Sequence, residues 1–217
     1  MNELLRFGLI YKFEFNAPVL IIGYLSVIAA GYLLGGLSAD IIIKNIRGIS
    51  KKNAAVITFF FDGVKIVAAV FAGVIFFGNN TESTAAFAGV YAAGLACIAG
   101  IAFPVYYKFK GGGKGAAAVL FMVLCTAPPV ALICFLIFAV IALWTKYISL
   151  GVVMAVMVYP MILNRITGVG AHNLIAIVIM LLVLFLHRDN IKKLGAGKEN
   201  KFDFKIRKKI KKDKEDT

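Results

Sequence analysis

The chain has 217 residues, of which 61% are hydrophobic and only 16% are charged, and its mean hydropathy is +0.88. A soluble globular domain has about a quarter of its residues charged, so this composition excludes that class and indicates an integral membrane protein. The net charge of +13 comes from 24 basic residues, half of which follow residue 186. That placement is typical of cytoplasmic loops and of a tail beside anionic lipid, and it disfavours nucleic-acid binding.

The three cysteines, Cys97, Cys125 and Cys134, lie inside apolar runs. They have neither the spacing of metal ligands nor flanking histidines, so the sequence predicts three buried apolar side chains. We expect no metal and no other cofactor.

The first half of the chain alternates apolar runs with short charged segments. Residues 1–16 have mixed charge and are predicted to form an N-terminal extension. The uncharged run 18–39 is long enough to cross a hydrocarbon core of about 30 Å, and a basic loop follows at 44–53. The next two apolar runs, 54–77 and 85–103, predict the second and third spans.

Two charged residues, Asp62 and Lys65, interrupt the second span. The spacing of three places them on one helix face, where they can pair. Charges at that depth are costly, so they are either a neutralised structural pair or part of a polar substrate cleft near the cytoplasmic side. The spacing alone favours neither interpretation.

The uncharged run 116–144 has 29 residues and is interrupted by Pro128 and Pro129. Proline at such a point ends or bends a helix, so the run divides into two segments. Two passes place the lysine-rich loops and the basic tail on the same side of the membrane, as the positive-inside rule favours. The first segment is short, and it either spans the membrane or re-enters it.

Two further spans are predicted at 148–163 and 168–186, separated by Asn164 and Arg165. The fold class is therefore an all-α integral membrane protein with about seven transmembrane or half-membrane helices. The N-terminus is expected outside and the C-terminus in the cytoplasm. We predict a membrane domain over residues 17–190 and a basic cytoplasmic tail over 191–217.

A loop rich in glycine and lysine separates the third span from the divided run. The loop residues that could bind a ligand are Lys108, Lys110, Gly111, Gly112, Gly113, Lys114 and Gly115. Lysines supply positive charge, glycines expose backbone N–H groups, and a following helix N-terminus favours anions, so the loop suits a phosphate. It lacks the glycine spacing and the hydroxyl residue of a P-loop, which disfavours an ATPase. A flexible basic loop with only a topological role is the alternative.

Four segments resemble signature motifs of the bacterial membrane glycerol-3-phosphate acyltransferases that use acyl-phosphate as donor. In chain order they are Asp62-Gly63-Val64-Lys65, the loop Phe103–Gly115, the segment Thr145–Gly151 with Lys146 and Ser149, and the segment His187–Lys201 with Asn190. Their order and spacing match this family from about residue 27 to about residue 202. Each segment alone is weakly specific, and the four in order are specific.

The resemblance implies a multi-pass enzyme of the bacterial plasma membrane. It would transfer an acyl group from acyl-phosphate to glycerol-3-phosphate and give lysophosphatidic acid for phospholipid synthesis, without a metal. His187 and Asn190 are implied as catalytic residues, with the loop lysines and glycines holding phosphate. Asp62, Lys65, Lys146 and Ser149 are implied as further polar residues of the site.

The chain also departs from the family pattern. The long first-motif loop is reduced to residues 37–50, where Arg47 and Ser50 are the candidate catalytic remnants beside Ser38. Ile66 and Ile101 replace an expected glycine and an expected histidine, and the glycine loop has one extra glycine. Two functions therefore remain: a divergent acyltransferase, or a non-catalytic relative that binds lipid or a partner. A transporter is disfavoured because the chain shows no internal repeat.

Overall fold

The structure is a computed structural model that describes residues 17–44, 51–77, 84–110, 112–199 and 201. Within these ranges the regular structure is helical, with nine α-helices and a short 3₁₀ turn at Val105–Tyr107. The α-helices are α1 (Ala17–Gly36), α2 (Ala39–Lys44), α3 (Lys51–Phe77), α4 (Thr84–Ala102), α5 (Ala116–Thr126), α6 (Pro128–Thr145), α7 (Ile148–Thr167), α8 (Gly170–Leu186) and α9 (Arg188–Gly195).

Five segments of the described chain are long and apolar enough to cross a membrane. They are Ile21–Ile43, Asn53–Phe77, Ala88–Tyr107, Pro128–Thr145 and Ile148–Thr167. A sixth span is obtained if His172–Leu186 and Arg188–Gly195, which meet at a bend of 60°, are counted together. The all-α membrane fold is thus confirmed, whereas the seventh pass, the sides of the termini and the domain boundaries remain predictions.

The long uncharged run is divided as the two prolines predict. Helix α5 ends at Thr126, and α6 begins at Pro128 after Ala127 leaves the helical region with φ −146° and ψ 74°. The residue before a proline is biased away from the helical conformation, and proline fits the first turn of a helix because the missing N–H has no partner there. The sequence therefore determines this break locally.

The end predicted for the span 148–163 was wrong by about one helical turn. We expected a break at Asn164 and Arg165, but α7 continues through both residues to Thr167. The helix ends at Gly168, which has a φ of +66° and donates its N–H to the Asn164 carbonyl. A glycine in the left-handed region is a common helix stop, and it outweighs the polarity of the two preceding residues.

The buried core joins α3, α4, α5, α7 and α8, with Ile66, Cys97, Met122, Leu163 and Ile179 fully enclosed. The outer surface instead presents many large apolar side chains, such as Trp144 at 86% exposure. This inverted surface is expected for a protein whose solvent is lipid. The prediction of three buried cysteines was wrong for Cys125, which is exposed on α5, while Cys134 is half-buried.

Helices α1 and α4 approach so closely that their backbones are in contact. A Cβ atom added at Gly31 would lie 2.5 Å from the Ala93 carbonyl oxygen, and one added at Gly35 would lie 2.1 Å from the Cys97 carbonyl oxygen. Two small residues four positions apart form a groove that admits a neighbouring membrane helix. Close packing of this kind fixes α1 against α4.

We predict that Gly35→Ala destabilises the protein by about 1–3 kcal/mol, because the new methyl group must push two backbones apart. Thermal unfolding in detergent should show a clear decrease in Tm. Gly170→Ala is the matched control, since a Cβ atom at Gly170 meets no atom within 4 Å. Equal melting temperatures for the two variants would contradict the packing argument.

Candidate active site

The glycine-rich loop folds back onto the end of α4. Gly113 donates its N–H to the Ile101 carbonyl at 2.9 Å. A Cβ atom at Gly112 would lie 2.1 Å from the Ala102 carbonyl oxygen, so any larger residue would separate the loop from the helix. The glycines therefore attach the loop to the bundle by direct backbone contact.

The first part of the loop reverses the chain through two left-handed residues. Lys108 and Phe109 have φ values of 53° and 60°, and the Phe109 N–H donates to the Pro104 carbonyl at 3.0 Å. This turn leaves the side chains of Lys108 and Lys110 exposed, while Gly111 lies outside the described residues. Both lysines are accessible to an anion approaching from the aqueous side.

The last part of the loop leads directly into a helix N-terminus. Gly115 is buried, has a φ of +69° and is the N-cap residue of α5. The first N–H groups of a helix have no partner within the helix and attract negative charge. Lys114 immediately precedes this cap, so the backbone of this lysine leads directly into the helix terminus.

Three segments that are distant in sequence meet at a polar cluster formed by Lys114, Ser149, Asn190 and Glu199. Lys114 Nζ donates to Asn190 Oδ1 at 2.6 Å. Asn190 Nδ2 donates to Ser149 Oγ and to Glu199 Oε1, the latter at 3.2 Å. The Asn190 carboxamide thus joins the glycine loop, the start of α7 and the segment that follows α9.

Helix geometry accounts for this meeting. Ser149 lies in the first turn of α7, and Asn190 lies in the first turn of α9, which turns away from α8 by 60°. A straight continuation of α8 would carry Asn190 away from Ser149. The bend at His187 is therefore what places the carboxamide in the cluster.

His187 lies at this bend and is only 3% exposed. Its Nδ1 is 2.9 Å from the Val183 carbonyl oxygen, and because a carbonyl only accepts, Nδ1 must carry the proton. In the neutral ring Nε2 is then an acceptor. Burial lowers the pKa of His187 below its ordinary value; the Val183 hydrogen bond and Glu199 oppose the shift, and Lys114 adds to it.

The ammonium of Lys114 is also perturbed. Burial lowers its pKa from the ordinary value and Lys193 acts in the same direction, whereas Glu199 and Asp189 favour the charged form. The side chain of Lys114 is exposed, so an anion from the aqueous side can reach its ammonium group.

The Asp62 and Lys65 side chains form a buried ion pair, with Lys65 Nζ 2.7 Å from Asp62 Oδ1. Lys65 Nζ also donates to the carbonyl of Leu37 at 2.9 Å and to that of Gly35 at 3.4 Å. The predicted pairing is confirmed. The pair also attaches α3 to the end of α1, where the shortened first motif begins.

The structure brings some of the expected site residues together. Lys114 and Ser149 are each hydrogen-bonded to Asn190, and His187 is three residues from Asn190. The exposed Lys146 caps α6 with a left-handed backbone. Arg47 and Ser50 lie outside the described residues.

The site assignment from sequence omitted Glu199. It lies in the segment His187–Lys201 that resembles a family signature, and this resemblance was the available signal. Its carboxylate accepts from Asn190 and acts on the pKa values of both Lys114 and His187. Among the described residues, His, Cys, Asp and Glu form no group of three that could hold a metal ion.

The fold and the cluster together define a polytopic α-helical membrane protein with a cationic polar site at one end of its bundle. The sequence model described as "Glycerol-3-phosphate acyltransferase" matches residues 43–197. The chain belongs to the glycerol-3-phosphate acyltransferase family.

Curated relatives and solved structures agree with this membership. A glycerol-3-phosphate acyltransferase of Aquifex aeolicus is 30% identical over 82% of this chain and 98% of its own length. One of Neisseria meningitidis is 34% identical over 80% of this chain and 94% of its own. Two crystal structures of the integral membrane glycerol 3-phosphate acyltransferase PlsY, its lysophosphatidic acid form and its glycerol 3-phosphate form, superpose with TM-scores of 0.72 and 0.71. Both are 30% identical to this chain and cover 83% of it, which is 95% and 96% of their own chains, respectively.

We predict that Gly112→Ala weakens the binding of inorganic phosphate by about tenfold or more, because the methyl group forces the loop off α4 and displaces Lys114. Isothermal titration of the purified protein with inorganic phosphate measures the change. Gly195→Ala, where a Cβ atom meets nothing within 4 Å, should bind as the wild type does. Unchanged affinity in the Gly112 variant would show that the attachment of the loop to α4 is irrelevant to binding.

Proposed function

We propose that this chain is an acyltransferase that moves an acyl group from acyl-phosphate to the 1-hydroxyl of glycerol 3-phosphate, giving lysophosphatidic acid for phospholipid synthesis in a bacterial plasma membrane. The observation that carries the proposal is the polar cluster itself. It joins Lys114, the glycine loop and the helix segment bearing His187 and Asn190, in a chain of this family. Both substrates carry a phosphate, which suits such a site.

The reaction balances without a covalent enzyme intermediate. The 1-hydroxyl oxygen attacks the carbonyl carbon of the acyl-phosphate, a carbon–oxygen ester bond forms, and the bond between that carbon and the phosphate oxygen breaks. Inorganic phosphate leaves with the bonding electron pair. The hydroxyl proton passes to His187, which then gives it to the departing phosphate.

In this proposal the lysines and the loop backbone hold the phosphates. Lys114 is fixed by Asn190 before substrate arrives, so little reorganisation is needed when negative charge develops on the leaving group. Lys108 and Lys110 attract the anions from solvent, and the exposed Lys146 does the same from the end of α6. The N–H groups of Gly111, Gly112 and Gly115 and the first turn of α5 are proposed as further donors, while the N–H of Gly113 keeps the loop on the Ile101 carbonyl.

His187 serves as the acceptor for the hydroxyl proton. The Val183 carbonyl fixes the tautomer, which leaves Nε2 able to accept. The lowered pKa keeps the ring neutral at physiological pH. Asn190 and Ser149 complete the polar wall around the reacting groups.

The remnants of the first motif supply the remaining contacts in this proposal. The contacts of Lys65 with Gly35 and Leu37 fix the backbone just before the buried Ser38, which belongs to the shortened first motif. Arg47 is proposed to bind phosphate in a forked geometry, and Ser50 to hydrogen-bond the acceptor.

The direct test is acyl transfer by the purified protein in lipid, with acyl-phosphate and labelled glycerol 3-phosphate. We expect lysophosphatidic acid as the product, and a loss of about 100-fold or more in kcat/KM for Lys114→Ala and for His187→Ala. Lys192→Ala is the matched control, because Lys192 is an exposed lysine of α9 outside the cluster and should retain activity. Absence of product from folded wild-type protein would favour the non-catalytic relative that binds lipid or a partner.

A pH profile tests the role of His187. Because its pKa is lowered, the ring stays neutral down to a lower pH than an ordinary imidazole, and kcat/KM should fall only as the pH drops through a midpoint below about 6.5. Glu199 opposes the lowering, so Glu199→Gln should move this midpoint to a still lower pH. If Glu199→Gln leaves the acidic midpoint of kcat/KM unchanged, a group other than His187 is responsible for the pH dependence.

A further inference from the structure

An apolar cavity of about 220 Å³ begins beside the polar cluster. Its walls come from one face each of α5, α6 and α7, with Phe59 of α3 added. At the polar end it is lined by Ala116, two residues after Lys114, and by Ile148, next to Ser149. The cavity therefore continues directly from the groups that the proposed function assigns to phosphate.

The face of α7 shows how the cavity is oriented. Ile148, Val152, Val156 and Tyr159 line it at intervals of three and four residues, so they form one stripe along the helix. The last of them is eleven positions after the first, which corresponds to about 16 Å of helix. The cavity is an elongated channel that runs from the polar cluster into the bundle.

These dimensions fit one hydrocarbon chain. A carbon–carbon bond is about 1.5 Å long and advances an extended chain by slightly less, so about a dozen carbons span the distance from Ile148 to Tyr159. Phe135 forms part of the wall and is 45% exposed, which leaves a side of the channel open toward lipid. A chain held in the bilayer can enter from that side while its head reaches the polar cluster.

Tyr159 is the last α7 residue of the lining and is only 2% exposed. Its hydroxyl has no hydrogen-bond partner among the residues that the structure describes. The hydroxyl group of a buried tyrosine usually forms a hydrogen bond. Hydrogen bonding within the described part of the chain therefore does not explain why a tyrosine occupies this position. Its position at the far end of the channel gives the bulky ring a separate role.

We propose that Tyr159 is a specificity-determining residue: its ring closes the channel that holds the acyl chain of the donor, and so limits the chain length the protein accepts. The inference rests on the proposed function for the identity of the occupant. A chain longer than the channel must bend out past Phe135 or leave its head short of Lys114. The acyl chain is in an apolar medium both in the bilayer and in the channel. Steric fit, and not hydrophobicity, therefore determines which chain length binds best.

The test measures binding without turnover. Wild-type protein in detergent is mixed with equimolar saturated acyl phosphonates, from decanoyl to octadecanoyl, which mimic the donor but cannot transfer the acyl group. Native mass spectrometry then gives the relative occupancy of each length. Tyr159→Ala should shift the preferred length upward by about four carbons, and Val156→Phe, one turn nearer the head, should shift it downward by a similar amount.

Two variants control for other effects of these changes. Tyr159→Phe keeps the ring and should keep the wild-type profile. Met157→Ala changes a side chain on the same helix that is 49% exposed and lies outside the cavity lining, and it should also leave the profile unchanged. Thermal unfolding confirms that each variant is folded, and the opposite shifts expected for Val156→Phe and Tyr159→Ala separate a length limit from general destabilisation.

The outcomes distinguish this inference from the proposed function. Identical profiles for wild type, Tyr159→Ala and Val156→Phe, or no phosphonate binding at all, would overturn the role of Tyr159. Shifted profiles without any lysophosphatidic acid from acyl-phosphate would support the channel and remove the proposed catalysis. Lysophosphatidic acid formed with unshifted profiles would leave the catalysis standing and remove the length limit.

Discussion

The polar site depends on the hydrogen bonds of one carboxamide, that of Asn190. Its oxygen accepts from Lys114, 76 residues earlier in the chain, and its nitrogen donates to Ser149, 41 residues earlier, and to Glu199. An amide supplies both a donor and an acceptor, so it can join a cation to a hydroxyl and a carboxylate without adding charge. At the edge of an apolar bundle, where unpaired polar groups are costly, these partners determine where α9 lies.

Direct backbone contact supports this arrangement from the other side. The loop bearing Lys114 is attached to α4 at Gly112 and Gly113, and α4 is in turn packed against α1 through Gly35. Lipid provides little hydrophobic force between helices, so close approach through small residues and internal hydrogen bonds hold the bundle together. The same glycines that make the loop suitable for an anion thus also give it a fixed position.

The polar cluster and the apolar channel share two helices. Lys114 immediately precedes α5, and Ser149 lies in the first turn of α7. Further along, the same two helices form walls of the channel as far as Tyr159. The same pair of helices therefore places a polar group at one end of an apolar channel. An amphiphile with an anionic head matches such a surface, and acyl-phosphate is one.

Composition and local pattern alone determined the membrane class, the helical fold, the break before Pro128 and the i, i+3 pairing of Asp62 with Lys65. These features follow from residues close in sequence, since hydropathy, proline geometry and helix periodicity act locally. Which expected site residues meet was decided only by tertiary structure. The 60° bend at His187 brings Asn190 to Ser149 and Lys114, and Glu199 joins them, although the sequence analysis placed it in the C-terminal signature segment without assigning it to the site. The channel that ends at Tyr159 also could not be predicted from the sequence. An apolar stripe on a membrane helix has the same residue pattern whether it faces lipid, the protein core or a cavity.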